Sequence, residues 1–402
     1  MRLLLLSDLH IGEAARCRSL RTSYDDTDDR DFTYYIRKFQ RQNNLDIDYI
    51  IFPGDLTNKA TPGEYRAFDE FFSRVTNVFN VAKENCFFTT GNHDSDWSVQ
   101  TNIPEGENPQ DYFGKRYDNL KYSNAVSGMI DRSIDFDGHH DFYIWNSTAL
   151  LTLAINSGYS EGRADPVKSG FVDNQLLDRL ANDFEAELYQ DKTKLLLVHH
   201  HPYMYSNPIH QWRDYSALQN AHRLLDFAEK FGFDFIVHGH RHIPDFDSRL
   251  SASGQQLTTL CCGSFSVILD HQLSGIASNL IHMIEVEERD TATKVLRGQI
   301  KSWAFVESRG WIESENRDGI EHIVPFGPNQ HYAFIRQELR DILNAKTEAV
   351  VELQEVVEGR SELKYCRWPL LKRAVQDVCE ELGRRMVGDQ LASAVILEKR
   401  EA

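Results

Sequence analysis

Polar side chains follow directly after five short apolar runs of this chain, and this repeated arrangement restricts the fold more than any other feature of the sequence. Each run has the length of a β-strand, and amphipathic segments separate the runs. Alternating strands and helices predict an α/β protein, in which sites are built where strands end. The five clusters are Asp8-Leu9-His10, Gly54-Asp55, Gly91-Asn92-His93-Asp94, His199-His200-His201-Pro202 and Gly239-His240-Arg241-His242.

The apolar pattern predicts the positions of the main elements. Helices are expected over Phe32 to Phe39, Glu64 to Phe79 and Leu176 to Phe184, where apolar residues recur at helical spacing. The polar stretches Asp25 to Asp31 and 97–140 predict solvated loops, with a cap over an active site as the alternative. Strands are predicted at 2–7, 48–52, 85–90, 149–156, 194–199 and 233–238, and in a second sheet at 256–260, 264–269, 279–286 and 293–301.

The last quarter of the chain has a different pattern. Apolar strand runs stop at about residue 305, and 329–358 and 369–387 predict helices. We therefore predict a main domain over 1–305 and a mainly helical C-terminal appendage over 306–402. The apolar stripe of the appendage is expected to pack on the main domain or on a second subunit, and docking of a protein partner is the alternative.

Composition excludes several classes of function. The 402 residues can bury a substantial core, and the formal charge of −17 argues against binding a polyanion without a local basic groove or metals. Six cysteines without a repeating C-x-x-C pattern predict reduced thiols, and the adjacent Cys261 and Cys262 predict a buried strand without a redox role. Because no run approaches 18 apolar residues, we expect a cytoplasmic protein without a membrane segment.

The five clusters have the chemistry of a metal site. They contain Asp, Asn and His, the oxygen and nitrogen ligands that suit Mn, Fe, Zn or Co, and no cysteine. The spacing of Asp8 and His10 places both side chains on one side of an extended segment, and His240 and His242 share this spacing. A lone buried histidine is ordinarily a hydrogen-bonded core residue. All five clusters in series predict a metal site.

The order D-x-H, G-D, G-N-H-D, H-H-P and G-H-x-H resembles the calcineurin-like metallophosphoesterase superfamily over roughly 1–305. Two segments resemble the branch of class III cyclic-nucleotide and glycerol phosphodiesterases, namely Gly54-Asp55-Leu56-Thr57 and Gly170 to Leu177. The resemblance implies a four-layer α/β/β/α sandwich and two divalent metal ions.

The resemblance also implies a role for each member of the clusters. His200 is chosen from three histidines because the family ligand lies two residues before the proline, and His199 and His201 would orient ligands or lie in the core. One ion would be bound by Asp8, His10, Asp55 and His242, and the other by Asn92, His200 and His240, with Asp55 bridging the two.

The implied reaction is hydrolysis of a phosphate ester. Two ions about 3.5–4 Å apart share a water, and the resulting bridging hydroxide attacks phosphorus in line. His93 is the expected general acid for the leaving group, with orientation of a neighbour as the alternative. Asp94 would hold the His93 ring or make a hydrogen bond within the turn.

Departures from the family pattern narrow the range of expected substrates. Phosphoprotein phosphatases carry G-D-x-x-D-R-G, whereas residues 54–60 here lack that arginine, which favours a phosphodiester such as a cyclic nucleotide. Arg241 is expected to contact substrate or to be exposed. The alternatives are a phosphomonoesterase, a non-catalytic scaffold, and a DNA nuclease of the recombination-repair type, which also begins with the pattern of Ser7 to Gly12; the acidic charge argues against the nuclease.

Overall fold

The computed structural model describes residues 1–16, 20, 32–133, 141–159, 169–184, 186–203, 216–250, 255–269, 273, 275–307, 309–328, 332–389 and 391–398. The predicted loop Asp25 to Asp31 lies outside the described residues. The strands are β1 (Arg2–Leu5), β2 (Tyr49–Phe52), β3 (Cys86–Phe88), β4 (Phe142–Asn146), β5 (Leu150–Ile155), β6 (Thr193–Leu197), β7 (Phe235–His238), β8 (Pro244–Leu250), β9 (Gln256–Cys262), β10 (Leu280–Arg289), β11 (Leu296–Val306), β12 (Gly310–Glu313), β13 (Ile323–Phe326), β14 (Val350–Glu352), β15 (Arg384–Val387) and β16 (Val395–Glu398). The helices are α1 (Phe32–Asn43), α2 (Pro62–Phe79), α3 (Trp97–Thr101), α4 (Asn124–Asp131), α5 (Asn174–Asp183), α6 (Ala221–Lys230), α7 (Tyr332–Ala345), α8 (Leu353–Glu358), α9 (Ser361–Lys364) and α10 (Trp368–Glu381).

Two mixed sheets form the body of the protein. The first has the order β12-β11-β10-β1-β2-β3, with β13 also paired to β11, and the second has the order β4-β5-β6-β7-β9-β8. Strands β1, β2 and β3 are parallel, as are β5, β6, β7 and β9. Because parallel neighbours end at the same edge of a sheet, the segments that follow them converge.

Alternating side chains of the second sheet divide the core into two layers. Trp145 lies 5.4 Å from the ring of Phe87 and packs between the sheets, whereas Ile144 packs in the second core with Leu180 and Phe227 of α5 and α6. Helices α1 and α2 pack on the first sheet, where the rings of Phe39 in α1 and Trp303 are 4.9 Å apart. The predicted four-layer α/β/β/α sandwich is confirmed.

Helix α2 holds the loop that follows β2. Thr61 caps its N-terminus, accepting a hydrogen bond from the Glu64 N–H, and Pro62 begins the helix. The Glu64 carboxylate also accepts the N–H groups of Lys59 and Thr61, at 2.9 and 3.0 Å. A helix terminus therefore fixes the loop that carries Asp55.

The segment 97–140, which the sequence predicted to be a loop, contains α3, α4 and a 3₁₀ helix over Gly114–Tyr122. The reason is a distant contact, since the Asp69 carboxylate of α2 accepts the N–H groups of Asn124 and Ala125 at the start of α4. Elsewhere, the predicted strand 264–269 is wrong, because the described residues there make only isolated bridges.

Strands continue beyond residue 305, where the sequence predicted that they stop. Both β12 and β13 pair with β11, so the first sheet extends to Phe326. The predicted helix 329–358 is interrupted by β14, and β15 occupies the end of the predicted helix 369–387, because both strands pair with β16. The appendage therefore contains the helices α7 to α10 together with short strands that the sequence did not predict.

The apolar stripe of the appendage builds a core of its own. Ile335, Leu339 and Leu343 of α7 are buried together with Val375 and Val378 of α10. Contact with the main domain includes the ion pair of Lys364 and Glu287 at 2.7 Å. The division of the chain into two functional units stays a prediction, as does a role for the appendage in oligomerisation.

Two further sequence expectations concern helices and thiols. No helix among the described residues combines the length and the apolar character that crossing a lipid bilayer requires. Cys261 and Cys262 lie buried at the end of β9 as predicted, and burial raises the pKa of the Cys261 thiol to about 12.

Truncation tests the extension of the first sheet. A chain that ends at residue 305 loses Trp311, Ile320 and Phe326 from the main core. Each buried large side chain contributes about 1.5–3 kcal/mol, so their sum is a large part of the total stability of about 5–15 kcal/mol. We expect this truncation to abolish cooperative urea unfolding, whereas a chain that ends at residue 328 unfolds cooperatively. Equal stability of the two truncations would contradict the assignment.

Candidate metal centre

The loops after β1 and β2 continue the pairing of the strands and carry the first two clusters. The Asp8 N–H donates to the Gly54 carbonyl at 3.1 Å, and the His10 N–H donates to the Asp55 carbonyl at 3.0 Å. From the second sheet, the His240 N–H donates to Asp8 Oδ1 at 3.0 Å. Backbone hydrogen bonds therefore join the two loops of the first sheet, and the bond from His240 to the Asp8 carboxylate links the second sheet to them.

Five of the predicted ligands have left-handed backbone conformations. Such φ values are uncommon outside glycine, and observed strain of this kind clusters at functional sites. The residues are Asp8 (φ 51°), His10 (φ 47°), Asp55 (φ 51°), His240 (φ 73°) and His242 (φ 58°). These turns direct consecutive side chains of each loop into one space instead of continuing the strands.

Four side chains form a compact cluster at this point, namely Asp8, His10, Asp55 and His242, whose donor atoms lie within 4.8 Å of one another. His10 Nε2 is 3.4 Å from Asp55 Oδ2 and 3.1 Å from His242 Nε2. His242 Nε2 is 3.2 Å from Asp8 Oδ1. This is the set that the sequence predicted for one ion.

The other three predicted ligands lie beside this cluster. Asn92 Oδ1 is 3.0 Å from His240 Nδ1, and the rings of His200 and His240 have centroids 4.4 Å apart. Asn92 and His200 are both buried. The structure therefore brings all seven predicted side chains together, in two adjacent groups.

The two remaining histidines of the triplet have different surroundings. His199 Nε2 is 3.1 Å from Asp55 Oδ2, and its Nδ1 is 3.1 Å from the Pro53 carbonyl oxygen. Burial lowers the pKa of His199, but the Asp55 carboxylate outweighs this effect and raises it to about 10. The His201 ring is farther away, 6.4 Å from that of His240. His199 is therefore placed to orient Asp55.

The protonation states suit a cation. Burial lowers the pKa of His10 to about 3 and that of His240 well below its usual value, so both imidazoles are neutral and keep a lone pair. Burial raises the pKa of Asp55, but His199 and His93 hold it well below the usual range. Buried carboxylates beside neutral imidazoles fit a divalent metal ion of the borderline class.

His93 and Asp94 use different partners. His93 Nδ1 lies 2.9 Å from the Asn58 carbonyl oxygen, which can only accept, so this nitrogen donates its proton. The Asp94 carboxylate accepts the N–H groups of Gly91, Leu56 and Thr57 at 2.9, 3.2 and 2.9 Å. Of the two roles predicted for Asp94, the hydrogen bonds within the turns are observed.

The glycines that precede three ligands serve two purposes. Gly54 has a φ of +95°, which requires glycine. Gly91 and Gly239 lack a positive φ, but a Cβ would lie 2.1 Å from Asp55 Oδ1 or from Asp8 Oδ2, respectively. These two residues are glycine because the ligand carboxylates lie directly against the backbone.

Sequence reasoning missed three residues that contact the candidate site. Asn58 acts through its backbone carbonyl, so its side chain gives no signal. The Trp97 indole N–H donates to the backbone carbonyl oxygen of Asn92 at 3.1 Å, and Ser157 Oγ lies 2.8 Å from His200 Nδ1. Both belong to segments outside the five clusters. The sequence offered one signal for Ser157, namely that polar residues follow β5, a strand that is parallel to β6 and ends at the same edge of the second sheet.

Residues 1–244 match the family model of calcineurin-like phosphoesterases, and the chain belongs to this family. The family consists of metal-dependent hydrolases of phosphate esters, and its two metal ions agree with the two groups of ligands. No curated protein matches the chain.

Several solved structures are similar to this chain at 12% sequence identity. Purple acid phosphatase PPD1 from yellow lupin has a TM-score of 0.44, covering 78% of this chain and 52% of the lupin chain. A dimetal phosphatase from Danio rerio has a TM-score of 0.43, covering 76% and 97%. Vacuolar protein sorting 29 from Cryptosporidium parvum has a TM-score of 0.33, covering 82% and 98%. The chain therefore spans about half of the lupin enzyme.

Asp55→Asn tests the centre. Changes in the partners of ligands already alter metal affinity about 10–100-fold, so we expect loss of this carboxylate to weaken Mn²⁺ binding by more, measured by calorimetry on metal-free protein. Asp69→Asn is the control, since it removes the α2 carboxylate that accepts the N–H groups at the start of α4. We expect this variant to lose about 1–3 kcal/mol of stability without a change in metal binding. Wild-type metal affinity in Asp55→Asn would exclude this residue as a ligand.

Proposed function

We propose that this protein hydrolyses a small phosphodiester, such as a cyclic nucleotide, at a dinuclear metal centre. The observation that carries the proposal is the convergence of five loops, each following a strand of one of the two sheets, on one group of buried oxygen and nitrogen ligands. The proposed ligands are Asp8, His10, Asp55 and His242 for one ion and Asn92, His200 and His240 for the other, with Asp55 between them.

The ligand set is compatible with Mn, Fe, Zn or Co, because carboxylate, amide and imidazole ligands accept several borderline ions. When bound, two such ions lower the pKa of water and neutralise charge on the phosphoryl oxygens. The protein holds the ligands in fixed positions through the turns and hydrogen bonds of the loops, so binding requires little rearrangement. The ions therefore enter a centre that is largely formed.

The substrate reaches the centre from one side. Asp8, Asp55 and Asn92 are buried, whereas His93 and His242 are partly exposed. A phosphate group that enters from solvent therefore meets these imidazoles first. We assign contact with the ester to His93, because His242 is a proposed metal ligand.

His93 is the proposed general acid. Its Nδ1 proton is committed to the Asn58 carbonyl oxygen, so proton donation to the leaving oxygen comes from Nε2 of the imidazolium form. The His93 N–H also donates to Asp55 Oδ1 at 2.9 Å, which fixes the backbone of this residue to a proposed ligand. The ring is therefore held at one nitrogen and available at the other.

The charges around the centre support a diester rather than a monoester. Within the described part of the chain, the ion pairs of Asp8 and Asp55 are all with histidines. The Lys59 side chain is 61% exposed and pairs with Glu13. Arg241 is 4% exposed, so its predicted surface exposure is wrong, and contact of Arg241 with substrate stays a prediction. A monoester dianion carries one more negative charge than a diester and gains more from nearby cationic side chains.

Hydrolysis assays test this function. With Mn²⁺ added to metal-free protein, we expect faster hydrolysis of bis(p-nitrophenyl) phosphate and of cyclic nucleotides than of p-nitrophenyl phosphate, compared as kcat/KM. Inactivity on all esters with each of Mn²⁺, Fe²⁺, Zn²⁺ and Co²⁺ would refute the proposed enzymatic activity. Faster monoester hydrolysis would identify a phosphatase, and a preference for DNA would identify the nuclease.

His93→Ala tests the general acid. General acid catalysis contributes about 10²–10⁴-fold, so we expect a loss in kcat of this size on a cyclic nucleotide, whose leaving group is a basic alkoxide. The loss should be much smaller on bis(p-nitrophenyl) phosphate, because p-nitrophenolate leaves without a proton. Metal content should stay at the wild-type value.

A histidine on the outer surface supplies the control for this variant. His222 is exposed on α6, so His222→Ala should hydrolyse both substrates at the wild-type rate. Equal losses of kcat on the two substrates in His93→Ala would show that His93 acts by orienting a neighbour instead.

A further inference from the structure

Ser157, two residues beyond the end of β5, contacts His200 at two points. Its hydroxyl oxygen accepts the His200 N–H at 3.2 Å and lies 2.8 Å from His200 Nδ1. Both residues are 0% exposed, so water does not compete for these bonds. The backbone and the ring of His200 are thus fixed relative to each other by one side chain.

This contact determines which ring nitrogen of His200 is used. With Nδ1 facing the Ser157 hydroxyl, His200 would hold a metal ion through Nε2, and the Nδ1–H would then donate to the Ser157 oxygen. The hydroxyl oxygen has two lone pairs, one for this bond and one for the His200 N–H. Gly170 packs against the same histidine, where a Cβ would lie 2.4 Å from Cγ of His200.

A second contact fixes the backbone of Asn92. The Trp97 indole N–H donates to the backbone carbonyl oxygen of Asn92 at 3.1 Å. The Arg116 guanidinium carbon lies 5.5 Å from the centroid of the Trp97 ring, and the guanidinium donates to the Tyr159 carbonyl oxygen. Tyr159 is two residues beyond Ser157. A continuous set of contacts therefore joins Asn92 to His200 through the buried Arg116.

The other group of ligands is supported by different residues. Asp8 accepts a hydrogen bond from the Ser7 hydroxyl at 2.5 Å, and its carbonyl oxygen accepts one from Ser264 at 2.8 Å. These contacts come from the first sheet and from the loop after β9. The N–H groups of His93 and His240 link the two groups through Asp55 and Asp8, whereas the contacts of Ser157 and Trp97 are made to the second group.

We propose that Ser157 and Trp97 are positioning residues for one metal ion only, the ion assigned to Asn92, His200 and His240. This inference rests on the proposed dinuclear centre. It adds that the Trp97 and Arg116 side chains control the occupancy of that position independently of the other. Removal of either contact therefore weakens the binding of one ion and leaves the affinity for the other unchanged.

Calorimetric titration of metal-free full-length protein with Mn²⁺ tests the proposal. Wild-type protein is expected to bind two ions. Ser157→Ala is expected to bind one ion with unchanged affinity and the other about 10–100-fold more weakly, which is the usual effect of losing a hydrogen bond to a ligand. Trp97→Phe removes the indole N–H and should weaken the same ion, so the proposal is tested even if one variant folds poorly.

The chain contains a matched control for Ser157. Ser302 Oγ lies 2.8 Å from His282 Nδ1, and both residues are 0% exposed. Ser302→Ala therefore removes a serine–histidine contact of the same length and burial, and we expect it to leave both Mn²⁺ affinities unchanged. Thermal unfolding of the two metal-free alanine variants should show a loss of stability in both, larger in Ser157→Ala because Ser157 also accepts the His200 N–H.

The outcomes separate this inference from the proposed function. Failure of wild-type protein to bind two ions would overturn the dinuclear centre. Two ions in wild-type protein, with both affinities unchanged or both equally weakened in Ser157→Ala and Trp97→Phe, would overturn the positioning roles alone. A change in Ser302→Ala as large as that in Ser157→Ala would also overturn them, because the effect would then be one of general stability.

Discussion

The close burial of the Asp8 and Asp55 carboxylates is the constraint on which the site depends. Two negative charges removed from water repel each other and lose their hydration, so they persist only beside compensating groups. His10, His199 and His242 lie within 3.4 Å of one or the other carboxylate, and backbone N–H groups of His93 and His240 donate to them. The abundance of histidine around the two aspartates follows from this need, and a bound cation would meet it more completely.

The fold provides this constraint through backbone geometry. The pairing of β1 and β2 continues as hydrogen bonds between their two loops, so neither carboxylate can move without breaking the edge of the first sheet. Left-handed turns at Asp8 and Asp55 then direct both side chains inward. Gly91 and Gly239 complete the arrangement because a side chain at either position would occupy the space of a carboxylate oxygen. Strain and close packing at the centre are offset by the large core between the two sheets.

Parts of the chain outside the five clusters contact the proposed ligands. The segment after β3 reaches Asn92 through Trp97, and the turn after β5 reaches His200 through Ser157. Both are loops or short helices, the elements that differ most readily while a fold is kept. An arrangement of this kind lets metal affinity and substrate preference change without altering the ligands themselves. The family and its chemistry are therefore set by the strand ends, and specificity is set by what packs around them.

Sequence and tertiary structure contributed different information. The sequence by itself determined the α/β class, most of the strands and the five polar clusters at strand ends, because apolar runs followed by Asp, Asn or His are local patterns. The choice of seven proposed ligands within those clusters came from the family resemblance. Only the tertiary structure decided that the Asp94 carboxylate accepts backbone N–H groups of the turns, while the Asn58 carbonyl oxygen accepts the hydrogen bond from the His93 ring. It also decided that 97–140 contains helices and that the first sheet extends to Phe326. In each of these cases the deciding partner is distant in sequence, as Asp69 is from α4 and β11 is from β13, so no local pattern could reveal it.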